Sequence, residues 1–565
     1  MSGSLKIKRI VFKAGSNPVM APLELNPNNI ILLVGPNNSG KSLALREIEN
    51  WCIGSDFPTK VVGTIELDFP ATYSEAYALL QPFTIPTPAG QSHSPQYLWA
   101  HMLKYSSGHS ATQQININSL THSLANLNYD EYTRRNISAF YTIRLDGRTR
   151  FSLAEAKPSG NLQDIAQNHL WKLFQDDSAR QQVRKLSEEA FGLYFVIDPT
   201  GMTQFKIRMS ERAPADSTEE QALDARARTF HNAAPEISDL SDGVQAFIGL
   251  TSALLSLPHK IILIDEPEAF LHPPLSRRLG ANIARLSNTR NASLVVSTHS
   301  ADFVMGCLET NAGTQVVRLT YENGVATARA LLEPDLQIMT RNPLLRSTGI
   351  LRALFHRAVI VAEADSDRAF YDEINNRLLQ NSRGVKDCLF LNAQNKQTIQ
   401  KIVEPLRRVG IPAVAIVDLD LIKDTRDLTK LMVACKIPVL NQTSLKSEQN
   451  WLKTKLGRLS LQSTDKFKKG GLSNLSEVDL PRAKLFLESL AKYGIFLVPN
   501  GEVESWLMAI GLPPAMHGSE WLIEMFTRIG QTETDTNYLH PGPNDVWEFI
   551  DQISIWIQDP ARLGI

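Results

Sequence analysis

The chain has 565 residues with a formal net charge of −1, 43% hydrophobic and 21% charged residues, and four cysteines. That length provides for two to four domains with separate cores, while the near-neutral charge excludes a uniformly basic nucleic-acid binder and confines any such surface to a local patch. No run approaches the roughly 18 apolar residues of a membrane helix, and Cys52, Cys307, Cys388 and Cys435 have neither disulfide-framework nor metal-knuckle spacing. With no signal-peptide core in the first residues, a reducing cytoplasm is the expected compartment.

Residues 1–70 read as β-rich sequence around one loop and helix. The apolar run Ile30-Ile31-Leu32-Leu33-Val34 predicts a buried strand, followed by Gly35-Pro36-Asn37-Asn38-Ser39-Gly40-Lys41-Ser42 and the helix-compatible Leu43-Ala44-Leu45-Arg46-Glu47. Strand, glycine-bounded loop and helix form the context of a phosphate-binding P-loop. Gly35, Asn37, Asn38, Ser39 and Gly40 are expected to cradle phosphate with backbone amides. Lys41 would reach the β- and γ-phosphates, and the Ser42 hydroxyl would ligate Mg²⁺. A bound nucleotide, ATP or GTP, is therefore expected.

From about residue 73 to 232, Ser/Asn/Gln-rich stretches alternate with amphipathic segments at 162–174 and 179–191. A largely helical insertion is expected there, with a dimerisation arm and a sensor surface as its open roles. Within it the alternating run 141–153, centred on Asp146-Gly147, predicts a β-hairpin with its arginines on a solvated strand face.

About 190 residues beyond the P-loop lies Leu240-Ser241-Asp242-Gly243-Val244-Gln245. The apolar strand Lys260-Ile261-Ile262-Leu263-Ile264 then ends in Asp265-Glu266-Pro267, at the carboxyl end where α/β sheets bind ligands. Asp265 would hold Mg²⁺ directly or through water, and Glu266 would polarise the attacking water as general base. A further strand, Ser293-Leu294-Val295-Val296-Ser297, ends in Thr298-His299-Ser300.

These four elements together resemble the ATP-binding-cassette (ABC) ATPases. The resemblance implies that Ser241 and Gly243 close over the γ-phosphate held by a partner subunit, and that His299 is the switch histidine. Asp242 stands where the family's signature usually has its first glycine, and Val244 intervenes before Gln245, whose role is left open. Gln91 and Gln96 are candidates, without supporting context, for the family's remaining glutamine.

Residues 336–350 read as a linker, after which a second βα series begins. Residues 355–361 predict a strand leading into Ala362-Glu363-Ala364-Asp365-Ser366-Asp367 and a helix. A strand at Cys388–Asn392 and a helix at 397–409 precede the buried strand 411–417, which ends in Asp418-Leu419-Asp420. Alternate residues of an extended segment face one side, so Asp418 and Asp420 can share a cation, with Glu363 and Asp367 on the neighbouring turn. Such hard oxygen ligands suit Mg²⁺ or Mn²⁺. A later strand, 494–499, leads to Asn500-Gly501-Glu502-Val503-Glu504, where Glu504, ahead of Glu502, fits a second-metal ligand. The basic run Lys453, Lys455, Arg458, Lys466, Lys468, Lys469 precedes it and could supply a charge-neutralising lysine and a backbone-tracking surface.

The strand ending in Glu363 and the later strand ending in Asp418-x-Asp420 resemble the Toprim domain of topoisomerases, primases and related nucleases. There the glutamate acts as acid/base or metal ligand and the aspartates bind divalent metal. Ala364 departs from the glycine that commonly follows the glutamate. An ABC-type ATPase followed by Toprim resembles the OLD (overcoming lysogenization defect) family of nucleases, in an α/β fold class. The expected layout is an ATPase domain at 1–335 containing the insertion, the linker 336–350, a Toprim domain at 351–515 and a C-terminal helical segment at 516–565. The resemblance implies an ATP-regulated, Mg²⁺- or Mn²⁺-dependent DNA endonuclease that works as a homodimer or higher oligomer without a membrane. It also implies antiphage defence, with retron nucleic acid or a reverse transcriptase as a partner. An RNase of the same design, aimed for example at tRNA, and an ATP-gated clamp without cleavage are the alternatives.

Overall fold

A computed structural model describes residues 5–18, 20–55, 57–102, 111–125, 131–256, 258–290, 292–310, 313–322, 324–460, 465–513 and 516–565. The chain divides into two compact units, Met1–Ala330 and Leu331–Ile565. Among the described residues no helix is long and apolar enough to cross a membrane.

In the first unit, Lys6–Phe12 (β1) and Glu24–Leu25 (β2) precede the wholly buried Ile30–Val34 (β3). Val62–Asp68 (β4) returns antiparallel to β1, and Tyr97–Met102 (β5) pairs antiparallel with Ala111–Asn116 (β6). Thr142–Leu145 (β7) is followed by Lys157–Pro158 (β8), Tyr194–Asp198 (β9) and Gln204–Ser210 (β10), the last three forming an antiparallel sheet in the order β8-β10-β9. Ile261–Asp265 (β11), Ser293–Ser297 (β12), Thr314–Glu322 (β13) and Val325–Leu331 (β14) complete the unit. The central sheet runs β14-β13-β3-β12-β11-β7, and β13, β3, β12, β11 and β7 are mutually parallel. Strands β3, β11 and β12 are continuous apolar runs because helices cover both faces of such a sheet.

Two expectations change here. Residues 73–232 carry β5 to β10 as well as helices, and one of these strands, β7, is the edge of the central sheet. The hairpin expected at 141–153 is instead β7, parallel to β11, followed by the helix Gly147–Ala154. Asp146 Oδ1 accepts from the Thr149 amide at 3.1 Å and its hydroxyl at 2.9 Å, so the Asp-Gly pair starts a helix rather than turning a hairpin. Its arginines do not line a solvated strand face: Arg144 pairs with Glu49 and Asp146, and Arg150 is buried.

The second unit opens with helices Glu333–Arg341 and Pro343–Ser347 and a 3-10 turn, Ile350–Phe355. The stretch 336–350 is thus helical rather than a linker, anchored by buried Leu336, Met339 and Leu345; Asn342 caps the second helix and Pro343 occupies its first turn. Ala358–Ala362 (β15), Cys388–Asn392 (β16), Ala413–Val417 (β17) and Ile495–Leu497 (β18) form an all-parallel sheet in the order β16-β15-β17-β18. Helices Gly518–Ile529 and Val546–Gln558 bury Trp521, Met525, Trp547 and Ile550 in one core with Ile360, Phe370 and Phe496.

Candidate nucleotide and metal centres

Backbone geometry makes the P-loop. Gly35 has φ 144°, and a Cβ there would stand 2.1 Å from the Leu319 carbonyl oxygen. Gly40 has φ 92° and opens the helix Lys41–Cys52. Asn37 and Asn38 are exposed at the loop's tip, while Ser39 and Lys41 are buried. The Lys41 ammonium donates to the Gly35 and Pro36 carbonyls at 2.8 Å each and approaches Ser39 Oγ at 3.2 Å, which fixes a cation inside the loop's concavity.

Asp265, at the end of β11, receives hydrogen bonds from Ser42 Oγ at 3.0 Å and from Ser297 Oγ at the end of β12. The sheet order places β12 beside β3 and β11 next to β12, and the Ser42 and Asp265 side chains meet across their carboxyl ends. Glu266 follows in a left-handed conformation, φ 49°, a strained state that persists only where the surroundings enforce it. Its amide donates to the Ser297 carbonyl at 3.0 Å and its carbonyl accepts from Arg150 Nη1 at 2.6 Å. His299 Nε2 stands 3.4 Å from Glu266 Oε1. Burial, aided by Lys41 and opposed by Asp265, pulls the His299 pKa down to about 4, so the imidazole is neutral at neutral pH.

Two participants carry no motif of their own. Arg150 reaches the site from the helix after β7, beside Asp265, Glu266 and Glu268. Glu268 is half-buried and accepts from Thr298 Oγ1 at 2.8 Å and the His299 amide at 2.7 Å. Burial raises its carboxyl against those hydrogen bonds. The Asp265-Glu266-Pro267-Glu268 spacing was the available signal for Glu268; nothing local marks Arg150.

Ser241 is exposed ahead of the helix Asp242–Ser256, which packs on helices Gly147–Ala154, His169–Gln175 and Asp177–Phe191. The P-loop helix packs instead on β4, β7, β11 and β12. A Cβ on Gly243 would lie 2.8 Å from the Phe270 carbonyl oxygen, so the signature turn abuts the loop that follows Glu266. Gln245 donates to its own turn at the Leu240 carbonyl, 2.9 Å. Gln91 and Gln96 are exposed ahead of β5, whereas the carboxyl end of β7, next to β11, carries Asp146 and Arg150.

In the second unit, adjacent parallel strands β15 and β17 end in carboxylates. Glu363 Oε1 accepts from the Asp418 amide at 3.1 Å, bracing one strand end against the other. Asp420 Oδ1 is 3.0 Å from Lys396 Nζ, on the helix Lys396–Arg408 that follows β16. Asp367 accepts from the Ala364 amide and Ser366 hydroxyl, each at 3.2 Å, and caps its own helix while facing the group.

Burial first, then Asp420 and Asp367, push the Glu363 pKa up to about 7 against the Asp418 amide and Lys396. Asp418 is raised further by burial and by Glu363, Asp367, Asp420 and Glu502. Asp367 is raised by burial and Glu504. Carboxylates gathered at such cost fit a bound divalent cation, whose charge reverses the local repulsion. Glu502, 6% exposed, and Glu504 lie on the turn after β18.

Of the basic run, Lys453 donates to the Lys423 carbonyl and Lys455 pairs with Asp479. Lys468 is the member that reaches the centre, 3.5 Å from Glu502. Burial works to lower its ammonium, but Glu502, Asp420 and Asp418 outweigh that. Lys396 lies outside the basic run, and only the strand order β16-β15-β17 brings it to Asp420.

Residues 30–306 match the family described as “AAA domain, putative AbiEii toxin, Type IV TA system”. Residues 354–420 match “Overcoming lysogenization defect protein-like, TOPRIM domain”. The phosphonates import ATP-binding protein PhnC 1 of Cupriavidus metallidurans is 38% identical over 68 residues, covering 12% of this chain and 24% of the relative. The lipoprotein-releasing system ATP-binding protein LolD 2 of Chlorobaculum tepidum is 39% identical over 66 residues, 12% of this chain and 26% of the relative. The chain thus spans about a quarter of the length of these curated relatives. Among solved structures, the Smc head bound to the C-terminal winged-helix domain of ScpA covers 59% of this chain and 99% of that one at 12% identity, with a TM-score of 0.34.

Proposed function

We infer that this chain, an OLD-family fusion of an ATPase domain with a Toprim domain, is an ATP-hydrolysing, divalent-metal-dependent endonuclease acting on DNA. The observation that carries the reading is the gathering of Glu363, Asp367, Asp418 and Asp420 at the carboxyl ends of adjacent parallel strands. Mg²⁺ or Mn²⁺ held there would activate water and neutralise charge on the scissile phosphate and departing oxygen. Asp418 and Asp420 are assigned to that ion, with Asp367 beside them. Glu363, with a pKa near 7, is suited to move a proton at the attacking or leaving oxygen. Lys396 and Lys468 flank the group and can meet phosphate oxygens.

In the ATPase unit we assign Gly35, Asn37, Asn38, Ser39, Gly40 and Lys41 to the phosphates of ATP, and Ser42 and Asp265 to its Mg²⁺. Glu266 is the general base and neutral His299 stands beside it. Ser241 and Gly243 would complete a partner's site, which calls for a homodimer or higher oligomer. Family membership supports an effector role in bacterial antiphage defence, with a retron's nucleic acid or reverse transcriptase as the partner to test, in the cytoplasm.

The deciding experiment incubates purified protein with Mg²⁺ or Mn²⁺ on plasmid, single-stranded DNA and tRNA, with and without ATP. Metal-dependent DNA cleavage is expected. Cleavage confined to tRNA would redirect the reading to an RNase. ATP hydrolysis without cleavage of either, even with native partners, would make the protein a clamp.

A further inference from the structure

The parallel sheet of the second unit stops at β18, and that edge is open. Pairing of Ala415, Ile416 and Val417 with Ile495, Phe496 and Leu497 consumes the amide and carbonyl of Phe496. The flanking bonds run from the Ala415 amide to the Gly494 carbonyl at 3.0 Å and from the Val498 amide to the Val417 carbonyl at 2.9 Å. Leu497 therefore turns its own amide and carbonyl away from β17. Because β18 ends the sheet, no further strand among the described residues receives them. Leu497 is nevertheless only 2% exposed, and backbone groups buried in this way call for a partner.

Over that edge lies a cavity of about 680 Å³, between helices Leu480–Ala491 and Val546–Gln558. Its size falls within the roughly 300–1,000 Å³ of small-ligand sites. Leu497 lines it, and Phe496, Trp506 and Phe549 give it an aromatic floor, the Phe549 ring centroid standing 5.2 Å from Trp506 and 5.9 Å from Phe496. The exposed rim carries three carboxylates, Glu488, Asp545 and Glu548, against one ammonium, Lys484. Carboxylates accept hydrogen bonds and repel phosphate, so the fitting occupant is flat, uncharged and rich in donors. Asn500 also lines the cavity. Glu502, whose charge raises Asp418, follows two residues later, at most about 7 Å of chain away.

Resting on the nuclease reading above, we propose that this cavity receives one unpaired base of the nucleic-acid strand passing the metal centre, and that it favours bases with an exocyclic amine. A base presents an acceptor beside a donor, the complement of the Leu497 amide and carbonyl, and its face stacks on aromatic rings. Preference comes from the rim: cytosine, adenine and guanine carry amines that carboxylates accept, and thymine carries none. The phosphates stay outside, with Lys396 and Lys468 at the carboxylate centre. An enzyme built in this way cuts where a base is already unpaired or can be extruded.

Fluorescence anisotropy of the full-length protein, with Ca²⁺ in place of Mg²⁺ to hold cleavage back, tests this on labelled oligo-dC, oligo-dT and an abasic strand of equal length. Oligo-dC should bind about fivefold or more tighter than oligo-dT, and the abasic strand more weakly still. Leu487→Trp, which fills the cavity, should erase the difference between oligo-dC and oligo-dT. Glu488→Gln/Glu548→Gln, confined to the exposed rim, should erase it too, because an amide serves thymine's carbonyl as well as cytosine's amine. Equal affinity of the wild type for oligo-dC and oligo-dT, the result expected if an extended peptide pairs with the edge, overturns the proposal and leaves the nuclease reading standing. A preference for oligo-dC that survives both variants overturns it equally. Variant-sensitive preference for oligo-dC, with no cleavage of that strand under Mg²⁺ or Mn²⁺, upholds the pocket and brings down the nuclease reading alone.

Discussion

Glu268 holds the loop on which His299 stands. Its carboxylate satisfies the Thr298 hydroxyl and the His299 amide at once, so removing it frees the segment that presents the imidazole to Glu266. Glu268→Ala should lower kcat for ATP by about 10- to 100-fold, since small misplacements of catalytic groups carry penalties of that order, and leave KM nearly unchanged. Glu268→Gln keeps a carbonyl acceptor and should recover most of the rate; steady-state ATPase assays on both variants check this. Equal loss in Gln and Ala would assign Glu268 a role for its charge instead. Lys41→Ala, by contrast, removes the ammonium inside the loop and should abolish hydrolysis, whereas Glu266→Gln should bind ATP and turn it over slowly, by rapid-quench assay. Full activity in Lys41→Ala would refute the P-loop assignment.

At the scale of elements, burial of histidine ties the ATPase unit's stability to pH. His169, in the helix His169–Gln175, and His259, ahead of β11, are wholly buried, and burial pulls both pKa values down to about 3. An unfolded histidine titrates near 6.5, so folding favours the neutral ring. The contribution is complete above about pH 6.5 and is lost as pH falls towards 3. Urea midpoints for the first unit's transition should therefore drop between pH 7 and 5, with a slope of up to about 1.4 kcal/mol per pH unit for each ring. His169→Gln should flatten that slope; an unchanged slope would remove His169 from the account. These elements also mark what sequence could and could not reveal. The P-loop and the Asp265-Glu266 and Asp418-x-Asp420 ends were legible because each is a contiguous run whose strand precedes it. Arg150 was not, since it meets Glu266 across 116 residues and only the parallel pairing of β7 with β11 brings them together. Asp146-Gly147 misled because an Asp-Gly pair serves a hairpin turn or a helix start equally well, and the choice is made by what the following residues bury. Lys396 was hidden in the same way, 24 residues from Asp420 in sequence but on the exit of a strand two places away in the sheet.

On the whole chain, the nucleotide residues belong to one compact unit and the Toprim carboxylates to the other. Asp418→Ala/Asp420→Ala should thus eliminate nucleic-acid cleavage while ATP hydrolysis persists within about twofold. Robust cleavage by the double variant would sink the nuclease reading. Complementation tests the oligomer: Lys41→Ala protein mixed with Ser241→Arg protein should regain ATPase activity through one intact composite site, provided the subunits exchange. No recovery in demonstrably mixed dimers would mean that each subunit's site is self-contained.

Gly243 would behave differently from Ser241 in that mixture. Its missing side chain leaves room for the Phe270 carbonyl, which a Cβ would crowd at 2.8 Å, and Phe270 lies four residues beyond Glu266 on the same loop. A methyl group at 243 would therefore press on the loop that carries Glu266, the general base proposed above, while also altering the face offered to a neighbour. A subunit bearing Gly243→Ala is damaged as donor and as recipient, so it should rescue no partner. If Ser241 and Gly243 cap a partner's nucleotide as proposed, the backbone at that one point would make readiness to cap another subunit's nucleotide and readiness to cut one's own a single mechanical state.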